Sequence, residues 1–279
     1  MRERHIVLRQ IGKRVPLYVL LGLGAILVLV PFYWSLVSSF KNQSELFSVP
    51  NILVRHPTIA NYAHLLSDTL FYRWFLNSLF IAIANVVLVL FLCSLGGYAF
   101  AKYRFRGRGA LFLLILSSTM IPPWVTIIPI FGWFSRLHIV NTYLAVILPG
   151  CANAFGVFLM RQYIQGVPSS LIDAARVDGC SEFGIYWRVV VPIIGPALGA
   201  LTILAFLGSW NSFLNPLILL RTPEMFTFPV GMSSLVGSMN PQYGLLMACA
   251  VVSVIPTSII FFRMQRQLVA GITLGAVKE

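Results

Sequence analysis

Long apolar runs alternate along this chain with shorter polar segments, and these runs define its architecture. Six of them contain no Asp, Glu, Lys or Arg: residues 15–37, 75–100, 110–134, 143–160, 193–214 and 243–262. A helix needs about 20 apolar residues to cross a hydrocarbon core of about 30 Å. The pattern therefore predicts an all-α polytopic membrane protein with six transmembrane helices, arranged as a single domain over residues 1–279.

The basic residues predict how these helices are oriented. Fifteen of the 20 Lys and Arg residues lie in the two termini, in residues 101–109 and in the loop 161–192, which alternate with the spans. By the positive-inside rule, these segments and both termini face the cytoplasm. The net charge of +12 could suggest a nucleic-acid partner, but this distribution argues against one. A basic head precedes the first run, which is too long for a signal-peptide core and predicts an uncleaved span.

The cysteines and histidines show no spacing that would hold a metal ion. Cys93, Cys151 and Cys249 lie in apolar spans and Cys180 lies in the loop 161–192. We predict buried apolar cysteines and no metal site.

The loop 161–192 is the longest helix-forming segment between two spans, and it predicts two short helices. Ser169 or Ser170 would cap the first, with Asp173 three residues after Ser170 at capping-box spacing. Gly179 would end this helix in the left-handed conformation. Ser181 would cap the second helix, which runs to Pro192.

One face of the first helix is built from small side chains. Leu171, Ala174, Ala175 and Asp178 recur at three- and four-residue spacing. Such a shallow face fits a groove on a partner protein. The alternative is a helix that lies on the lipid surface, although acidic residues are unfavourable near anionic headgroups.

Other polar and helix-breaking residues mark the remaining spans and loops. Pro122-Pro123 should kink or break the third span, for packing or for function, and Thr58 should cap a short helix through Leu66. Polar residues in spans should face other helices or a cavity, and interhelical hydrogen bonding and pathway lining stay open as explanations. The pathway candidates are Asn77, Asn85, Trp210, Asn211 and Asn215.

The sequence contains no evident energy source. It has no G-x-x-x-x-G-K-[ST] phosphate-binding loop, no carboxylate or basic residue within a predicted span and no catalytic constellation. A partner protein would therefore supply the energy for uphill transport. The competing interpretations are a stand-alone secondary transporter or channel, and a membrane-embedded enzyme or assembly factor.

The segment Asp173-Ala-Ala-x-x-Asp178-Gly179 resembles the EAA loop of binding-protein-dependent ABC importer permeases, whose pattern is E-A-A-x-x-D-G-A. Asp173 stands where the family has Glu, and Cys180 where it has Ala. The likeness extends along the chain and narrows to carbohydrate-type permeases of the maltose-importer kind. It includes Leu76-Asn77-Ser78, Gly97-Tyr98-Ala99-Phe100-Ala101, Arg104-Phe105-Arg106-Gly107, Trp210-Asn211-Ser212-Phe213 and the tail from Gly271 to Lys278.

This resemblance implies a type I permease in a bacterial inner membrane that imports a sugar, an oligosaccharide or glycerol phosphate. A second, related permease would form the other half of the pathway. Two ATPase subunits would bind ATP and Mg²⁺ below, and a periplasmic or lipid-anchored solute-binding protein would dock above. The chain itself would hold no cofactor and would not be an enzyme.

The resemblance also assigns contacts to residues of this chain. The coupling residues would be Leu171, Asp173, Ala174, Ala175, Asp178 and Gly179. The ATPase-contacting tail would be Gly275, Ala276, Val277 and Lys278. The outer loop Glu224–Tyr243 would touch the binding protein through Glu224, Ser233, Ser234 and Asn240.

Overall fold

The computed structural model describes residues 2–48, 52–67, 69–236 and 242–276. These residues form helices and contain no β-strand, which confirms the all-α prediction. The helices are α1 Arg2–Ser39, α2 Gln43–Leu46, α3 Ala60–Ser67, α4 Phe71–Lys102, α5 Arg108–Ser117, α6 Pro123–Arg136, α7 Tyr143–Cys151, α8 Ala154–Gln165, α9 Ser169–Val177, α10 Glu182–Ile185, α11 Val191–Ile193, α12 Gly195–Trp210, α13 Leu214–Leu219, α14 Phe228–Val236 and α15 Tyr243–Ala276.

The described residues contain three single helical segments that are long and apolar enough to cross a membrane, within α1, α4 and α15. Three further candidates are bent pairs of helices, and counting each pair as one span gives the predicted six. The pairs are Arg108–Met120 with Pro123–Arg136 at 102°, Tyr143–Cys151 with Ala154–Gln165 at 43°, and Glu182–Ile193 with Gly195–Trp210 at 82°.

The third predicted span is not a straight helix. A 3₁₀ turn, Ser118–Met120, follows α5, and α6 begins at Pro123 in a new direction. Proline lacks an amide proton and disfavours helical geometry in the residue before it. Pro122 accordingly has an extended backbone, with φ −59° and ψ 132°. The predicted break at Pro122-Pro123 is confirmed, and at 102° it is far larger than a packing kink.

By its contacts the chain divides into two units, and the prediction of one domain stays a prediction. The first comprises Met1–Thr69 and Leu235–Val254. Within it, the Asn61 amide donates to the carbonyls of Ser39 and Lys41 at 2.8 and 2.9 Å, which joins α3 to the end of α1. The Thr58 hydroxyl accepts from the Ala60 amide at 3.1 Å, close to the predicted cap.

The second unit comprises Leu70–Ser234 and Ile255–Glu279 and is built around α4. This helix packs against α7, α8 and α12. Gly97 allows α4 and α8 to approach closely, because a Cβ atom there would lie 2.6 Å from the Met160 Cβ and 2.8 Å from the Arg161 backbone nitrogen. The buried core on this side continues into the loop between α8 and α12, where Ile172 and Tyr186 lie.

Candidate functional site

The helix α9 lies in the polar loop between two apolar segments, as predicted. It begins at Ser169 with Pro168 in the capping position, and no side chain caps it. The predicted capping box of Ser170 and Asp173 was therefore wrong, because the capping position is two residues earlier in the chain than Ser170. Gly179 has φ +79°, which confirms the predicted left-handed terminus.

The two long faces of α9 have opposite environments. Ile172 and Ala175 are 2% and 8% exposed and belong to the buried cluster that contains Met160 and Tyr186. Leu171 is 46% exposed and Val177 is 88% exposed. One side of α9 is therefore fixed to its own bundle, and the other presents apolar side chains outward.

The exposed face of α9 differs from the face that the residue spacing predicted. Leu171, Ala174 and Asp178 are exposed, but Ala175 points into the bundle, so the predicted face was wrong at Ala175. The outward apolar set is Leu171, Ala174 and Val177, at three-residue spacing. Val177 was missed, although its place three residues after Ala174 was a usable signal.

An ion-pair network joins α9 to α10. Arg176 donates to both Glu182 carboxylate oxygens, at 2.7 and 3.2 Å, and to Asp173 at 3.0 Å. The Tyr103 hydroxyl, just beyond α4, also bonds to Glu182. The pKa of Glu182 is lowered, first by the Arg176 hydrogen bond and next by that of Tyr103. Asp173, which was predicted to contact the ATPase, thus forms an ion pair with Arg176 inside the loop.

Replacing Glu182 by glutamine should loosen α9. Because the Glu182 pKa is lowered in the folded state, its ordering effect is present at neutral pH and is lost as pH falls below the usual carboxyl range of about 4. Amide hydrogen exchange across residues 169–177, measured in nanodiscs at neutral pH, should become about two- to fivefold faster in Glu182→Gln, which is the effect expected from the loss of one solvent-exposed ion pair. The exposed Asp178→Asn is the matched control, and equal exchange in both variants would remove Glu182 from this role.

The second half of the loop is fixed to α4. The Ser181 hydroxyl accepts from the Gly184 amide at 3.2 Å, which confirms the predicted cap. A π-helical turn, Tyr186–Val190, then continues into α11. Within this turn the Tyr186 and Ser94 hydroxyls lie 2.6 Å apart and are buried. A displacement of α9 and α10 would therefore be transmitted to α4.

Two cavities with several Asn and Ser side chains in their linings occur near the broken helices of the second unit, and a largely apolar cavity of about 570 Å³ also lies there, beside Leu114, Ile121 and Cys151. The first has a volume of about 160 Å³, and its lining includes Asn85, Asn153, Ser209, Ser212 and Asn215. Asn85 donates to the Ile147 carbonyl at 3.4 Å. It fits because residue 150 is glycine, since a Cβ atom there would lie 2.0 Å from the Asn85 Nδ2.

The second cavity is larger, at about 340 Å³. It is lined by the start of α6, Pro123 and Trp124, and by Asn211–Asn215 beyond α12. Ser212 and Asn215 line both cavities. Three of the pathway candidates, Asn85, Asn211 and Asn215, thus line cavities. Sequence reasoning missed Asn153 and Trp124, although Trp124 directly follows the proline pair.

The other two pathway candidates have structural partners. Asn77 donates to the Glu224 and Phe226 carbonyls, each at 2.9 Å, and accepts from the Tyr143 hydroxyl at 2.7 Å. Trp210 is 2% exposed and stacks on Phe206, with ring centroids 5.8 Å apart. Neither residue lines the two cavities described above.

The predicted binding-protein loop is partly described. Glu224 is exposed in a 3₁₀ turn, Pro223–Met225. Ser233 and Ser234 lie in α14, where their hydroxyls donate to the Val230 and Gly231 carbonyls. Asn240 lies outside the described residues. Their contact with a binding protein stays a prediction.

The predicted ATPase-contacting tail and the predicted absence of a metal site can be compared with the structure only where it describes the chain. Helix α15 includes Gly275 and Ala276, whereas Val277 and Lys278 lie outside the described residues. Where the structure describes the chain, no three His, Cys, Asp or Glu residues are grouped to hold a metal ion.

Comparisons with solved structures show the fold. A chain of a bacterial ABC transporter that imports the acidic polysaccharide alginate is 28% identical, with a TM-score of 0.81 over 89% of this chain and 94% of that one. A chain from an alginate ABC transporter bound to its periplasmic protein is 15% identical, with a TM-score of 0.62 over 92% and 94%.

Comparisons of sequence show the family. Arabinooligosaccharide transport permeases of Halalkalibacterium halodurans and Bacillus subtilis are 41% and 40% identical, over 91% and 95% of this chain and 92% and 96% of theirs. A lactose transport permease of Rhizobium radiobacter is 33% identical over 94% and 95%. Residues 94–274 match the binding-protein-dependent transport system inner membrane component. The chain belongs to that family, as a multi-pass permease subunit of an ABC carbohydrate importer and not as an enzyme.

Proposed function

We propose that α9 is the element through which an ATPase drives this permease. The observation that carries the proposal is the contrast between its faces, with Ile172 and Ala175 buried in the bundle and Leu171 and Val177 exposed. An exposed apolar helix face fits a hydrophobic groove on a partner. Because the same helix is packed into the core around α4, a push on α9 reaches the spans.

The chain would work as half of a pathway. A second permease completes it, two ATPase subunits bind ATP and Mg²⁺ at the side of α9, and a solute-binding protein delivers substrate at the other side. Three sequence features support this division: the absence of a phosphate-binding loop, the uncharged spans, and the family, which is dependent on a binding protein. The charge distribution supports cytoplasmic termini in a bacterial inner membrane.

We propose an arabinose-containing oligosaccharide as the substrate. The two relatives at 40% and 41% identity transport arabinooligosaccharides, whereas the lactose permease is 33% identical. Neutral oligosaccharides suit the described cavities, whose polar side chains are amides and hydroxyls. Acidic sugars would favour basic side chains, and neither cavity lining contains one.

Transport in proteoliposomes tests the proposed function. The complete complex, with ATP on the ATPase side and binding protein on the other, should accumulate labelled arabinotriose in preference to lactose or maltotriose. The purified chain alone should accumulate none. Accumulation by the chain alone would establish a stand-alone transporter and overturn the proposal, and a preference for lactose would overturn the assigned sugar.

A further inference from the structure

The 340 Å³ cavity lies where two predicted spans break. The break at Pro122-Pro123 places Trp124 in the first turn of α6, and the chain is non-helical from Asn211 to Phe213, between α12 and α13. In a membrane, interrupted helices persist where other protein or water satisfies their freed backbone groups. Such breaks beside a cavity are typical of substrate sites in transporters.

This cavity shares two lining residues with the smaller one. Ser212 and Asn215 line both, so the polar wall extends from Trp124 to Asn85. The combined lining includes a tryptophan ring, amide and hydroxyl groups, and apolar side chains such as Leu204 and Leu214. Ligand pockets commonly combine an apolar surface with a few polar groups that fix orientation.

Three polar side chains of this wall are free to bind a ligand. Ser209, Ser212 and Asn215 make no side-chain hydrogen bond to any other described residue. In the membrane, unpaired polar groups are costly unless water or a ligand satisfies them. Their position around a cavity supplies the space for such a partner.

The tryptophan provides complementary chemistry. Trp124 is 67% exposed and lines the cavity with Asn211 and Asn215. An aromatic face carries partial negative charge, so it attracts the C–H groups on the face of a sugar ring. The hydroxyls at the edge of that ring can then bond to the amides and serines.

We propose that Trp124, Ser212 and Asn215 form a carbohydrate subsite on this chain, which binds one neutral sugar ring during passage. This inference rests on the proposed function. It assigns to this permease a direct contact with the substrate, by stacking on Trp124 and by hydrogen bonds to Ser212 and Asn215.

A membrane-interface role is the competing explanation for an exposed tryptophan. The chain offers a matched control, because Trp133 lies on the same helix, is 66% exposed and lines neither of the two cavities. A lipid-anchoring role predicts similar effects at both positions. A sugar-binding role predicts an effect at Trp124 alone.

The test uses the complete reconstituted complex, with saturating binding protein and labelled arabinotriose. Trp124→Ala should lower the uptake rate about tenfold, the loss expected for one aromatic contact with the moving substrate. Trp124→Phe should retain most of the rate, and Trp133→Ala should match wild type. ATP hydrolysis stimulated by the binding protein should also be near wild type in Trp133→Ala, which lines neither of the two cavities.

Equal uptake by Trp124→Ala and Trp133→Ala, impaired or not, would overturn the subsite. If Trp124→Ala fails to insert into the membrane, uptake is measured with Asn215→Ala instead. Unchanged uptake by Asn215→Ala would overturn the proposal. Failure of the proposed function gives a different result: the wild-type complex would show no ATP-dependent uptake of arabinotriose, lactose or maltotriose. The subsite would then also be disproved, because it rests on that function.

Discussion

Aspartate in place of Val177 is expected to abolish ATP-driven sugar uptake while the chain stays folded in the membrane. Val177 is 88% exposed, so the folded permease tolerates the charge. Once α9 enters a groove on the ATPase, the unpaired carboxylate is desolvated, at a cost of about 3 kcal/mol or more. That cost corresponds to a loss of more than about a hundredfold in productive association.

Ser169→Asp is the matched control for this substitution. It places the same charge on the same helix, also at an exposed position, but away from the Leu171, Ala174 and Val177 face. At the start of a helix the acid is favourable. Uptake into proteoliposomes should be near wild type for Ser169→Asp and undetectable for Val177→Asp. Similar uptake by the two variants would show that α9 docks through another face.

Alanine in place of Gly97 should sharply reduce the stability of the bundle. The added Cβ would lie 2.6 Å from the Met160 Cβ and 2.8 to 2.9 Å from backbone atoms of Met160 and Arg161. Backbone atoms cannot turn aside as a side chain does, so α4 and α8 must separate. Overpacking of this kind costs about 1–3 kcal/mol, and the separation also disturbs the cluster that holds α9.

The neighbouring glycine provides the control. A Cβ atom at Gly96 would lie 3.7 Å from the two methyl groups of Val157, an ordinary contact distance. Thermal unfolding in detergent should therefore show a clearly lower midpoint for Gly97→Ala and little change for Gly96→Ala. Equal midpoints would mean that α4 and α8 are not packed as closely as described.

Local chemistry allowed several features to be predicted from the sequence. Gly179 ends α9 in the left-handed conformation, and Ser181 caps α10, because these residue types act through the adjacent backbone. The capping box at Ser170 failed because Pro168 already occupies the cap. Apolar runs located the spans, and Pro122-Pro123 located the break, but not its angle of 102°.

Packing against distant segments determined the features that the sequence pattern did not predict. The periodicity of α9 allowed an outward face with Ala175, yet Ile172 and Ala175 both pack into the buried cluster that contains Met160. Trp210 sits beside Asn211 in the sequence but packs between the rings of Phe206 and Phe228. Such contacts depend on distant segments, which a local pattern does not reveal.

Photo-crosslinking from α9 tests most directly the claim that this helix receives the force of ATP hydrolysis. With p-benzoylphenylalanine in place of Val177, the assembled transporter should yield an adduct between this chain and the ATPase, in an amount that changes when ATP is added. The same probe in place of Ser169 should yield little. A complex that imports sugar yet gives no ATPase adduct from position 177, or gives equal adducts from both positions, would contradict the account.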